Sequence, residues 1–336
     1  MKTYFYQQLN GLDQKVYDEI INGLNQGNLR IAVSSFGSVK KVAVDIFNNY
    51  PQYFSIASRV RAMRSLLKTV VQFDQSYSVS DTKKYQSQIK ELVLKFISEN
   101  INDHQTDYDK VLILHDYLKN SIEYDHQAAA HANDKTNRYV SAYNIVGAFI
   151  KHKCVCDGFA KAMKYLCDQV GIECYVVNGI GNNMQDSGPH AWNIVNIDGC
   201  YQHVDVTWDN QFMDDNFPLY AYLNLDDKTI ARDHSWDKRL YPACTSLEYN
   251  YFKINNALID SKAQLKKFLI DSFSLEEDIV QYRVDKDSRL ASEIFSCYQE
   301  ITQEAIQACK YVRIGDIRTQ YQMEQLVFTI VPKYVD

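Results

Sequence analysis

The stretch Pro189-His190-Ala191-Trp192-Asn193-Ile194-Val195-Asn196-Ile197-Asp198-Gly199-Cys200-Tyr201-Gln202-His203-Val204-Asp205-Val206-Thr207 is two strand-like runs divided by Asp198-Gly199. Asp-Gly between such runs signals a two-residue hairpin turn, because both turn positions need positive φ. Strands are therefore expected over 189–197 and 200–207, with Ile197 paired to Cys200. In that register His190 lies opposite Thr207 and Trp192 opposite Asp205. Side chains alternate faces, so all four share one face. His190 and Asp205 are then diagonal neighbours, roughly 7–8 Å apart. An imidazole and a carboxylate span that gap, giving a base with an orienting acid.

Working outward, Val155-Cys156-Asp157-Gly158-Phe159-Ala160 opens an amphipathic run that closes at Gly171. It predicts a helix from Cys156 to Val170, and a strand follows over 172–180. A thiol attacks a carbonyl only as thiolate, which a helix N-terminus and a nearby imidazole both favour. Cys156 stands at such a helix start, where unsatisfied backbone N–H groups can also receive an oxyanion. Gly158 would let another segment approach closely. Tyr143 and Asn144, just upstream, are candidates for a second oxyanion donor or for the substrate cleft.

Further out, helical spacing marks 12–24, Ser38–Phe47, 82–99, 107–120 and 140–151, and residues 65–80 read as one or two strands. The tail reads as a strand near 250–255, a helix near 261–271, a strand near 278–284, a helix near 288–310 and a strand near 322–331. The fold class is α+β, with a helix packed on antiparallel strands.

The bulk numbers narrow the alternatives. A chain of 336 residues, 46% hydrophobic and 23% charged, suits a soluble globular protein with two or three packed regions. Only 12 Gly and 5 Pro leave little material for flexible linkers. A net charge of -6 argues against a nucleic-acid partner. The cluster Arg59-Val60-Arg61-Ala62-Met63-Arg64 reads as a solvated strand or helix face. No run approaches the roughly 18 apolar residues of a membrane span. The start, Met1 to Gln8, lacks an apolar signal region, which taken literally means cytoplasmic. A chain beginning after a removed signal would look the same and be secreted or cell-surface. Of the eight cysteines, seven would remain beside a nucleophile and could not all pair, which leans towards a reducing compartment.

Val-Cys-Asp-Gly-Phe-Ala at 155–160, His-Ala-Trp-Asn at 190–193 and Asp-Val-Thr-Trp-Asp at 205–209 resemble the three signature blocks of transglutaminase-like proteins, in order and spacing. His115-Asp116-Tyr117-Leu118 with Tyr124-Asp125 is similar to the helix that enters this domain in bacterial members. Pro51-Gln52-Tyr53-Phe54 is similar to an N-terminal extension that some of them carry. The resemblance is strongest over 107–245. It implies a papain-like core, with Cys156 as nucleophile, His190 as general base and acid, and Asp205 as orienter. The implied organisation is an N-terminal α+β extension over 1–105, a transglutaminase-like catalytic domain over 106–245 and a C-terminal α+β region over 246–336. One departure is Cys154, where the family often has Gly.

The function implied is cysteine-dependent acyl transfer on protein or peptide carboxamides, with a thioester resolved by an amine or by water. A cysteine protease or amidase using the same three residues is the alternative. A protein-binding module that has lost turnover is a second. His203, opposite Ile194, reads as structural, and His234 as structural or cleft-edge. Trp192 and Trp208 read as packing, although Trp192 could wall the substrate channel. Cys154, Cys156, Cys167 and Cys174 do not make a zinc set, because Cys167 lies about 16 Å along the helix from Cys156. The acidic runs Asp205–Asp209, Asp214-Asp215 and Asp226-Asp227 lack EF-hand spacing. No metal and no cofactor are expected.

Overall fold

The computed structural model describes residues 2–64, 69–132, 138–182, 187–211 and 220–335. The N-terminal part runs α1 (Tyr4–Gln8), α2 (Gly11–Asn25), β1 (Arg30–Val33), α3 (Val39–Asn49), β2 (Ile56–Arg64) and β3 (Thr69–Gln75). Asn10 starts α2 by accepting from the Leu12 and Asp13 N–H groups, which satisfies donors that the first helical turn leaves open. α2 then turns Val16, Tyr17, Ile20 and Leu24 onto a core shared with α3 and a three-stranded sheet. The basic cluster at 59–64 lies on the edge strand β2, where Arg61 pairs with Asp74.

The central part runs α4 (Val79–Asn100), α5 (Asp107–Ser121), β4 (Glu123–Tyr124), α6 (His126–Ala130), β5 (Lys153–Cys154), α7 (Cys156–Gln169), β6 (Cys174–Asn182), β7 (Ser187–Ile197), β8 (Cys200–Val204), α8 (Val206–Gln211), β9 (Leu223–Leu225), α9 (Asp227–Ile230) and β10 (His234–Trp236). Its sheet has the order β10-β6-β7-β8-β9. α4, inside the span read as N-terminal extension, places Ile89 and Val93 on this central core. α7 presents Phe159, Ala162, Met163 and Leu166 to the same core, which also holds Val111, Leu114 and Leu118 of α5 and Val195, Ile197 and Val204 of the sheet. Asn193 of β7 donates to the Ala160 carbonyl at 2.9 Å and ties the helix to the strand. Gly171 ends α7 with a φ of 79° while the Ile172 N–H reaches back to the Cys167 carbonyl, the left-handed stop that a glycine permits.

The C-terminal part runs α10 (Tyr251–Ile254), β11 (Leu258–Ile259), α11 (Lys262–Ser274), β12 (Val280–Val284), α12 (Ile294–Ala308), β13 (Arg313–Gln322) and β14 (Val327–Val335). Its sheet, β11-β12-β14-β13, is packed by α11 and α12. The core beneath it also contains Tyr175, Val177, Trp192 and Ile194. The two faces of β6 and β7 are thus buried in different cores, one with α7 and one with the C-terminal part. The fold is α+β, with the Cys156 helix packed on an antiparallel sheet and α/β regions on either side.

The β7–β8 register is the one expected, from Ile197↔Cys200 to Asn193↔Val204, and both turn residues have positive φ. The ladder stops at Val204, however, and 206–211 is helical. Asp205 forces the change by accepting from the N–H groups of Thr207 and Trp208, as a helix-capping carboxylate does. Residues 140–151 are not one α-helix. A 3-10 turn over Val140–Tyr143 and a π turn over Gly147–Lys151 replace it. Asn144 breaks the run by taking the Val146 N–H on its own side chain. The strand expected near 250–255 is α10, because Asn250 caps it through the Phe252 N–H. The strands read over 65–80 are β3 alone, since Ser78 starts α4; positions 65–68 lie outside the described residues.

Gly158 allows the close approach expected of it. A Cβ there would lie 2.5 Å from Cys154 Cβ and 2.7 Å from the Ala142 carbonyl oxygen. Gly158→Ala is expected to destabilise the protein by about 1–3 kcal/mol, read from the urea unfolding midpoint.

Candidate functional site

Cys156 is the first residue of α7, and its N-cap Val155 offers no side-chain bond to the helix start. The side chain packs against Ala160, Val176 and Ala191 and stays partly exposed. His190 lies on β7 opposite Gly179. Gly181 also keeps its place clear, because a Cβ there would come within 2.8 Å of Trp208 and 3.3 Å of the His190 ring. Nε2 of His190 meets Oδ2 of Asp205 at 2.6 Å, and the Cys156 sulfur is close enough to the same ring to raise its pKa. With Nε2 taken by the carboxylate, Nδ1 is the nitrogen left for sulfur.

Burial opposes charge on the His190 ring, but the adjacent Asp205 carboxylate and the Cys156 sulfur outweigh it and push the pKa up to about 10. Burial likewise opposes an ionised Asp205, yet His190 and His234 hold its carboxyl well below the usual carboxylate range. Such a group can hold a proton on imidazole, carry negative charge on sulfur and present backbone amides at a helix start. Those are the parts of nucleophilic acyl chemistry.

The remaining candidates sort differently. Trp192 does not wall a channel: it is 1% exposed, stacks on His190 at 5.9 Å and donates from Nε1 to Nδ1 of His203. Tyr143 and Asn144 line a cleft of about 310 Å³ together with Phe47, Phe54, Ile56 and Val140. Their polar groups are already engaged. The Tyr143 hydroxyl donates to the Ala128 carbonyl, and the Asn144 amide donates to Val140 O and Tyr77 Oη. Neither side chain has a donor left for an oxyanion in this arrangement. His203 is a buried link between Trp192 and Asp227.

His234, read as structural or cleft-edge, is buried against the site, and two groups beside it, Asp233 and Lys161, escaped the reading of the sequence. Nε2 of His234 lies 3.0 Å from Oδ2 of Asp205, and its Nδ1 lies 2.6 Å from Oδ1 of Asp233. Lys161 is buried beside Asp157, over the Phe47 ring, and burial lowers its pKa. For Lys161 a signal existed, since i and i+4 share a helix face with Asp157. Asp233 gave no local signal, and nothing local placed His234 against Asp205.

Donor atoms of His190, Asp205 and His234, and of His203, Asp227 and Cys244, lie within 4.8 Å of one another. Their hydrogen bonds argue against ion binding. Trp192 donates to Nδ1 of His203, so Nε2 carries the proton given to Asp227, and a metal there would need an imidazolate. Asp214 and Asp215 lie outside the described residues. Burial raises the pKa of Cys154, and Cys167 and Cys174 are both buried and hydrogen-bonded together. No helix among the described residues is long and apolar enough to cross a membrane.

A thiol at a helix start, facing an imidazole backed by a buried carboxylate on an antiparallel sheet, defines a papain-like class of site. Residues 95–206 match the family model of the transglutaminase-like superfamily. The kyphoscoliosis peptidases of Mus musculus and Homo sapiens are 24% and 26% identical over 168 residues, covering 48% of this chain. The chain spans about a quarter of their length, 24% in each case. A crystal structure of a TGase is 21% identical over 48% of this chain and 47% of its own, with a TM-score of 0.31.

The His190 ring should titrate near pH 10, well above a free imidazole. Asp205→Asn removes the carboxylate that favours the charged ring, so its midpoint should fall towards about 6.5. NMR of histidine-labelled protein, assigned with His190→Gln, reads both values. A variant midpoint still near 10 would contradict the electrostatic account.

Proposed function

We propose that the protein is a cysteine-dependent acyltransferase acting on carboxamides of proteins or peptides. The observation that carries this reading is the 2.6 Å contact of His190 with Asp205, on a ring whose other side faces Cys156. The Cys156 thiolate attacks the carboxamide carbon, and the amides at the start of α7 receive the oxyanion. The C–N bond breaks as His190 gives its proton to the leaving nitrogen, which departs as ammonia from a glutamine side chain. A thioester remains. An amine such as lysine then attacks it, His190 takes the proton, and sulfur leaves as thiolate. Asp205 keeps the ring oriented and stabilises its charge without itself accepting the proton. The cleft beside Tyr143 offers aromatic and aliphatic walls for a neighbouring substrate side chain.

Hydrolysis is the second reading, favoured by the word peptidase in the names of the curated relatives. There, water resolves the same acyl-enzyme. A glutamine donor peptide incubated with a labelled primary amine separates the two. Transfer gives ammonia with amine incorporation, deamidation gives ammonia alone, and proteolysis gives new amino termini. Loss of all three products would sink the assignment. Cys156→Ala and His190→Ala should abolish turnover, while Asp205→Ala should cost less because the carboxylate only orients and stabilises.

Iodoacetamide at neutral pH should label Cys156 first among the eight cysteines, and peptide mapping reads the order. Cys154, Cys167, Cys174, Cys244 and Cys297 are buried. Excess EDTA should leave turnover unchanged and millimolar calcium should not raise it, since the amides and His190 supply the charge stabilisation and the proton. A calcium-dependent rate would count against this mechanism.

A further inference from the structure

The C-terminal β13–β14 hairpin ends in a turn whose residue Gln325 is 0% exposed. Hairpin tips ordinarily face water, because buried turns must satisfy their polar groups internally. This one is directed inward. The Gln325 amide donates to Oδ2 of Asp233 at 2.8 Å, and its backbone N–H donates to Oε1 of Gln322 at 3.1 Å. Gln322 in turn donates to the Tyr222 hydroxyl, which itself donates to Oδ2 of Asp233 at 2.8 Å. Next in the chain, Leu326 adopts a φ of 53°, a left-handed conformation rare for a branched side chain. The carbonyl oxygen of Gln325 finds no donor among the described residues, so the side chain is poorly explained by stability alone.

The other oxygen of Asp233 meets Nδ1 of His234, whose Nε2 meets the same Asp205 oxygen that holds His190. A continuous line of hydrogen bonds therefore joins the hairpin tip to the imidazole facing Cys156. We infer that Gln325 and His234 are positioning residues, and that the C-terminal hairpin sets the orientation of Asp205 through Asp233 and His234. By holding the His234 ring at Nδ1, Asp233 keeps Nε2 on Oδ2 of Asp205, and this contact keeps the carboxylate aimed at His190. The C-terminal part is in this way a working component of the site. His190 and His203 also face His234, from β7 and β8. Arg232 and Arg283 act on the line through Asp233.

This inference rests on the proposed role of the site, so its test includes a readout independent of acyl transfer. Gln325→Met keeps the bulk of the side chain and removes the amide. The His190 ring midpoint should fall by about one pH unit, a tenfold change in the ratio of charged to neutral ring. Alkylation of Cys156 at pH 6.5, where the ring is charged in both proteins, should slow about threefold or more because a misaimed ring stabilises the thiolate less, and kcat should fall while KM stays within about twofold. His234→Leu should act in the same direction, and His234→Gln, which retains an amide donor, should recover part of the loss. The exposed neighbour Met323→Ala should match the wild type in every readout, and thermal melts confirm that each variant is folded. A Gln325→Met protein with an unchanged or raised His190 midpoint overturns the inference while leaving the proposed function standing. A wild-type protein whose Cys156 does not alkylate faster than a free thiol overturns both.

Discussion

A single buried carboxylate organises this molecule. Asp205 is fully buried and accepts from His190 and His234 on one oxygen, and from the Thr207 and Trp208 N–H groups on the other. An ionised carboxylate without such donors would be very costly away from water. With them it fixes three things together: the end of β8, the start of α8 and the ring facing Cys156. The two backbone donors come from its own chain, so the cap also sets the direction in which the second oxygen points.

The sheet explains why so many segments converge there. Residues 174–177 of β6 and 191–195 of β7 are buried on both faces, by α7 and by the C-terminal part. Their exposed backbone must also be satisfied. The Val176 N–H donates to Asn49 from α3 at 2.9 Å, and the Asn178 N–H to the Tyr241 hydroxyl at 3.1 Å. α3 and the segment after β10 thus each contribute a polar contact to β6, and neither contact substitutes for the other. Buried networks of this kind hold a geometry firmly only when their donors and acceptors match, which ties the site to the cores around it.

Much of this is legible in the sequence. Asp198-Gly199 set the register of β7 on β8, and the start of α7 at Cys156 followed from the apolar run closed by Gly171. His190 and Asp205 were paired from that register, yet they meet by another route: the ladder ends at Val204, and Asp205 reaches the ring as a helix cap. The preference of Asp for capping competed with strand continuation and prevailed, a choice that period-two patterning does not weigh. At Asn144 and Asn250, likewise, asparagine caps displaced the helix and strand suggested by apolar spacing.

What the sequence by itself determined is local: turn handedness at Asp198-Gly199, the glycine stop at 171, the helix start at Cys156, and side chains suited to acyl chemistry at spacings shared with a family. φ preferences and side-chain alternation act within a few residues, so they can be read directly along the chain. Tertiary structure alone decided that Trp192 is a buried support, that Asn144 has no amide to spare, and that Asp205 serves two imidazoles. It also decided that Gln325 meets Asp233, a partner 92 residues away. Such pairings depend on how separately formed faces come together when the cores close, and no short-range pattern encodes that packing.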